Sequence, residues 1–201
     1  MNKPIGVVNG NKEQANLGDV ISMNHYIFVN NEMKTINIGE ETFLLNHLLH
    51  INIYPQCVKE NMLLIKFDIQ NLANHDVPIR ILVENYLHAE TNNYAFVSPK
   101  NEVLFLTDRE QLYLTSGIIQ EKSIYQYGIL KMKTSLATIC NGSIPFCPIG
   151  SGEVATVYSL EQVIKPKEKI HAYTWVLSSN SLVESDLLNW DNQLKSRLAF
   201  L

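Results

Sequence analysis

Long apolar runs are absent from this sequence. Nothing in its 201 residues approaches the roughly 18 consecutive apolar positions that span a bilayer as a helix. The N-terminal stretch MNKPIGVVNGNKEQANLGDV also lacks the apolar core of a secretory signal. The expectation is synthesis in the cytoplasm with no membrane span. A basic excess is absent too. Lys and Arg number 16 against 20 Asp and Glu, for a net charge of −4. Phosphate neutralisation needs clustered cations, and the densest knot, KPKEK at 165–169, contains its own acid. Nucleic acid is therefore not an expected partner. Cysteine is scarce, with only three, which does not fit a secreted disulfide scaffold. No Walker loop, G-x-S-x-G, H-E-x-x-H or G-x-G-x-x-G occurs, so no catalytic or cofactor signature is present.

What is present is strand grammar. Apolar residues make up 46% of the chain and charged residues 18%, the balance of a globular domain. Residues 1–22 are rich in Asn, Gly and Lys and read as a flexible arm. From residue 23 to 180, short runs rich in Ile, Val, Leu, Tyr and Phe alternate with polar turns. In NMLLIKFDIQN, Leu63, Ile65, Phe67 and Ile69 share one face, and Leu64, Lys66, Asp68 and Gln70 the other. VPIRILVENY repeats the pattern with Ile79, Ile81 and Val83 against Arg80, Leu82 and Glu84. The turn LANHD between them predicts an antiparallel pair. FLLNHLLHINIY (43–54) and IYQYGILKMKTSLATI (124–139) read as further strands. About ten strands at short spacing predict an all-β fold, an antiparallel β-sandwich or jelly-roll-like barrel.

The exception is the C-terminal segment, 181–201. Ser181 and Glu184 stand at capping-box spacing. Val183, Leu187, Trp190, Leu194, Leu198 and Leu201 then step by three or four, one face of an amphipathic helix. That stripe packs either on the domain's own sheet or on a neighbouring subunit.

Four features are candidates for chemistry. His47 and His50 form an H-x-x-H, but on a strand they point to opposite faces and cannot share a metal. Tyr125 and Tyr127 alternate along one predicted strand, and Tyr173 and Trp175 along another. They are either core rings or an exposed row on which sugars stack. The stretch CNGSIPFCP places Cys140 and Cys147 around an Asn-Gly turn. These thiols are reduced, joined locally, joined between subunits, or bound to metal. Two ligands fall short of the four that structural zinc needs, and closing so short a loop stabilises by only about 2 kcal/mol. No cofactor is implied.

Three segments together, YIFVNNEMKTINIG, LLIKFDIQNLANHDVPIRILV and VIKPKEKIHAYTWVL, carry a resemblance. Over roughly residues 25–178 the chain resembles a group of small β-sandwich proteins of unknown function from Bacillus-type spore-forming bacteria. The closing turn departs from that group, reading KPKEK where the group tends to have consecutive prolines and glycines. The resemblance implies no catalytic residues, only an association with spores or their surface layers. The expected function is a non-enzymatic structural or interaction protein that self-associates as a homo-oligomer, with residues 1–22 as a donated strand. The alternative is a carbohydrate-binding module.

Overall fold

A computed structural model describes residues 17–88, 93–108, 110–179 and 183–199. It is an all-β, antiparallel sandwich of two sheets with a C-terminal helix. The chain runs through α1 (Leu17–Val20), β1 (Ile21–Val29), β2 (Glu32–Ile36), β3 (Glu41–Leu44), β4 (Leu49–Lys59), β5 (Met62–Asn71) and β6 (Val77–Leu87). It continues through β7 (Tyr94–Ser98), β8 (Val103–Thr107), β9 (Leu112–Ile119), β10 (Tyr127–Lys131), α2 (Met132–Ile139), β11 (Ile149–Ser151), β12 (Val154–Ile164), β13 (Lys169–Ser179) and α3 (Glu184–Leu198). The smaller sheet has the order β10-β12-β6-β1-β2. The larger has the order β11-β7-β8-β9-β13-β5-β4-β3. Among the described residues no helix is long and apolar enough to cross a membrane.

The period-two faces do what alternation demands. Ile65, Phe67 and Ile69 of β5 meet Ile79, Ile81 and Val83 of β6 in one core between the sheets. The pairing of these two strands is corrected, however. β5 hydrogen-bonds to β4 and β13, whereas β6 bonds to β1 and β12. The LANHD turn is therefore a crossover from one sheet to the other. Asn71 explains why. Its buried side-chain Nδ2 lies 2.8, 2.9 and 3.0 Å from the carbonyl oxygens of His75, Ile164 and Lys165, and its Oδ1 accepts from the Ala73 N–H. One amide thus ties the β5–β6 crossover to the β12–β13 crossover, whose KPKEK turn also switches sheets. Removing it would leave the buried Ile164 carbonyl without this donor and untie the two crossovers.

Two other predicted strands break. FLLNHLLHINIY becomes the β3–β4 hairpin, because Leu45, Asn46 and His47 all take positive φ. The run 124–139 turns from β10 into α2 after Lys131. Met, Lys, Leu and Ala are good helix formers. The helix is also held by a tertiary contact. Glu84, buried on the outer face of the smaller sheet, accepts hydrogen bonds from Ser135 of α2, from Tyr26 Oη at 3.0 Å and from Asn24 Nδ2 at 3.1 Å. A buried carboxylate needs such donors.

Each sheet has its outer face partly covered. Ile139 of α2 and Ile144 of the following loop pack on Tyr26, Leu82, Leu130 and Val157. Helix α3 packs on Phe105, Leu114, Trp175 and Leu177. Of the predicted arm, residues 1–16 lie outside the described residues. Residues 17–22 form α1 and the start of β1, with Leu17 and Ile21 buried in the main core.

Candidate functional site

The register of the smaller sheet assembles the site. Phe28 of β1 stands opposite Arg80 of β6, and Arg80 stands opposite Glu161 of β12. All three project to the outer face. Arg80 Nη2 donates to Glu161 Oε2 at 3.1 Å, and its Nε lies 2.6 Å from Oε1 in the same ion pair, a charge-assisted contact that holds the guanidinium against the carboxylate. The guanidinium lies over the Phe28 ring at 5.8 Å, and its Nη1 donates to the Gly142 carbonyl. Glu161 Oε1 also accepts from Gln126 Nε2 at 2.9 Å and from Ser159 Oγ at 3.0 Å.

Beside this row opens a cleft of about 630 Å³, walled by Phe28, Asn30, Arg80, Lys122, Tyr125, Glu161 and Gln162, among others. Tyr125 is 69% exposed. Its backbone N–H is held by the Ser159 carbonyl at 2.9 Å, so a loop aromatic is presented from a fixed main chain. Asn30 and Asn31, both at positive φ, make the tight β1–β2 turn on the rim.

A second cleft of about 620 Å³ lies next to the first and shares Lys122 and Gln162 with it as a common wall. Lys122 Nζ donates to Gln162 Oε1 at 2.6 Å, and Gln162 Nε2 donates in turn to Gln120. Its far wall carries Lys169 and His171, which lean on Asp68. His171 Nδ1 is 2.6 Å from Asp68 Oδ1, Lys66 Nζ 3.1 Å from the same oxygen, and Lys169 Nζ 3.5 Å from Oδ2. Burial pushes the Asp68 carboxyl up, but hydrogen bonds from Lys66 and His171 and the lysine charges hold it below the usual carboxylate range.

The four aromatics predicted to stack sugars do not come together. Tyr173 and Trp175 are buried on the outer face of the larger sheet, at 5% and 0% exposure. Both belong to the cluster that α3 joins. Trp175 Nε1 donates to Asp191 Oδ1 of α3 at 3.0 Å. Tyr127 is half-buried and meets Phe146 edge-on at 5.8 Å. Tyr125 alone remains open, and it precedes β10 rather than lying on it.

The helical stripe predicted as a subunit contact is also redrawn. Leu187 is fully buried against the chain's own sheet, while Leu194 and Leu198 are half-buried beside it. Val183 and Trp190 face outward. Asp191 takes the buried position beside Trp175, with Lys195 Nζ 2.8 Å from its Oδ2. The predicted capping residue Ser181 and the last stripe residue Leu201 lie outside the described residues. Val183 is the N-cap and makes no side-chain cap bond.

Cys140 and Cys147 are free thiols, as is Cys57. Cys140 Sγ donates to the Ala137 carbonyl and Cys147 Sγ to the Ile149 carbonyl. Between them the loop supports the site from behind. Gly142, at φ +77, packs on Phe28 so closely that an added Cβ would meet the ring at 2.6 Å. Ile144 N–H donates to Gln126 Oε1 at 2.9 Å. His50 pairs with Glu41 and stacks on Phe43, while His47 sits in the hairpin turn and meets the same ring. Among the described residues no group of three His, Cys, Asp or Glu is placed to hold a metal.

Sequence reading missed Phe28, Arg80, Gln126 and Glu161 as a set. Its one available signal was Arg80 on the polar face of a strand. The row exists only through pairing between strands far apart in sequence.

No protein-family model matches this sequence and no curated protein is similar to it. Among solved structures, a bacterial glucoamylase complexed with acarbose is similar in fold, with a TM-score of 0.56 and 10% identity. The likeness covers 88% of this chain and 31% of the glucoamylase chain, so this chain spans about a third of that protein's length. At that identity the likeness is one of fold alone.

Proposed function

We propose that this chain is a non-catalytic carbohydrate-binding β-sandwich module whose sugar platform is Tyr125 at the Arg80–Glu161 cleft. The observation that carries the reading is Tyr125 itself, an exposed ring held by its backbone on the rim of a cleft of about 630 Å³. Sugars present apolar C–H faces that cover aromatic rings, and hydroxyls that hydrogen-bond to planar polar groups at the edge. Here those groups are the Arg80 guanidinium, the Glu161 carboxylate and the Gln162 amide. Glu161 already accepts from Arg80, Gln126 and Ser159, which suits a fixed recognition surface better than a proton-transfer group. The glucoamylase likeness adds a sandwich found within a carbohydrate-active protein. It lends no activity, since it covers 31% of that chain.

Isothermal titration calorimetry with maltotetraose, cellotetraose, xylotetraose and chitotetraose tests the reading. Trp175 is buried, so its fluorescence is a poor reporter. At least one sugar is expected to bind, and Tyr125→Ala to weaken it about tenfold through loss of the stacking face. Binding indifferent to Tyr125→Ala, or no binding of any oligosaccharide, would overturn the proposal.

A second reading, self-association as a structural homo-oligomer, is favoured by one observation. β11 is one of the two edge strands of the larger sheet, and Ile149 on it, Tyr94 on its partner β7 and Phe146 just before it are all exposed. Edge strands with apolar side chains invite pairing with a second copy. The spore-layer association implied by the sequence resemblance is a setting in which copies would pack this way.

A further inference from the structure

We infer that the two neighbouring clefts form one groove, and that the second takes the anionic group of an acidic oligosaccharide. The inference rests on the carbohydrate-binding reading and names its ligand class. Two observations carry it. The clefts are similar in volume, about 630 and 620 Å³, and share Lys122 and Gln162 as a common wall. The first cleft lies on the outer face of the smaller sheet and the second beside α3 on that of the larger, so a chain of several sugars stacked at Tyr125 would pass round the end of the sandwich, over the Lys122–Gln162–Gln120 ridge, into the second cleft.

The charge there is of the opposite sign to the chain's net −4. Lys122, Lys169 and His171 line it, with Glu121 as the carboxylate on its wall. Behind them one carboxylate, Asp68, serves Lys66, Lys169 and His171 together. Among the described residues, the acceptor of Lys122 Nζ is the neutral Gln162 amide. The lining thus sets two lysines against one carboxylate, Glu121, with the Lys66–Asp68 pair behind it, and a concave surface concentrates the resulting positive potential. Ammonium groups so placed recognise a carboxylate, sulfate or phosphate on a sugar. Ligands without one gain nothing from them.

The test compares tetragalacturonate with its fully methyl-esterified form, which removes the charge and keeps the chain. Calorimetry on the full chain at low ionic strength should show the acid binding about fivefold more tightly, as expected for exposed charge pairs. The preference should shrink to about twofold in 0.5 M NaCl. Lys169→Gln should shrink it likewise, and Lys169→Arg should restore it. Lys169 is solvent-exposed, so neither change threatens folding. Equal affinities for acid and ester, a preference untouched by Lys169→Gln, or no binding of either form would overturn the inference. So would galacturonic acid monomer binding as tightly as the tetramer, which marks an isolated anion site. If neutral sugars still bind in a Tyr125-dependent way, the carbohydrate reading survives. If they do not, it falls as well.

Discussion

Acid should weaken this protein through one histidine. His25 of β1 is buried between the sheets at 2% exposure. Its ring meets Phe67 edge-on at 5.1 Å, and Nε2 lies 3.1 Å from Thr174 Oγ1 of β13. Thr174 donates its own proton to Met23 Sδ at 3.5 Å, so the hydroxyl is an acceptor for an Nε2–H. Burial pushes the His25 pKa down from 6.5 to about 3. Below 6.5 the unfolded chain takes up a proton that the native chain does not. The neutral ring's contribution is therefore fully present above pH 6.5 and is lost as pH falls from 6.5 towards 3. Between pH 7.5 and 4.5 that loss is on the order of 2–3 kcal/mol for one proton, a large share of a total stability of roughly 5–15 kcal/mol. Urea unfolding at the two pH values measures it, with Trp175 fluorescence reporting the loss of the core. His25→Gln keeps a hydrogen-bonding group near Thr174 and removes the titration. Carboxylates such as Asp68 and Asp191 titrate in both chains and cancel in the comparison. The wild-type chain should lose on the order of 2–3 kcal/mol more than His25→Gln over this range. Equal losses in the two chains would refute the assignment of acid sensitivity to His25.

Two further outcomes follow from the loop and the sheet edge. Gly142→Ala places a Cβ 2.6 Å from the Phe28 ring at a φ of +77. It should cost about 1–3 kcal/mol in chemical unfolding and weaken sugar binding in calorimetry, because Phe28 and Arg80 must shift. On the self-association reading the wild-type chain should scatter above the 22.9 kDa of one chain, and Ile149→Asp, at an exposed edge position, should bring that mass down without loss of stability. An unchanged oligomer would remove β11 as the self-association edge.

The alternation of Leu63, Ile65, Phe67 and Ile69 and of Ile79, Ile81 and Val83 was enough to place both strands and their inward faces. A side-chain period of two is a local property of extended backbone. It does not say which strand lies beside which, and so the LANHD turn reads as a hairpin. Asn71 decides otherwise, by reaching carbonyls more than ninety residues away. α2 is a similar case. Its residues fit a helix or an exposed strand, and the buried Glu84, wanting donors, is what holds Ser135 over the sheet. On α3 the apolar stripe was legible. Its rotation was not, since Asp191 rather than Trp190 is drawn inward by the Trp175 N–H.

The sequence by itself determined that this is an all-β sandwich closed by an amphipathic helix, because hydrophobic periodicity and turn chemistry act within a few residues. The cleft was decided by the tertiary structure alone. Phe28, Arg80 and Glu161 are separated by 52 and 81 residues in the chain and become neighbours through register across β1, β6 and β12. The Cys140–Pro148 loop then packs behind that row through Gly142 and Ile144. Register is set by the packing of whole strands against both faces of a sheet, and no single stretch of sequence contains it.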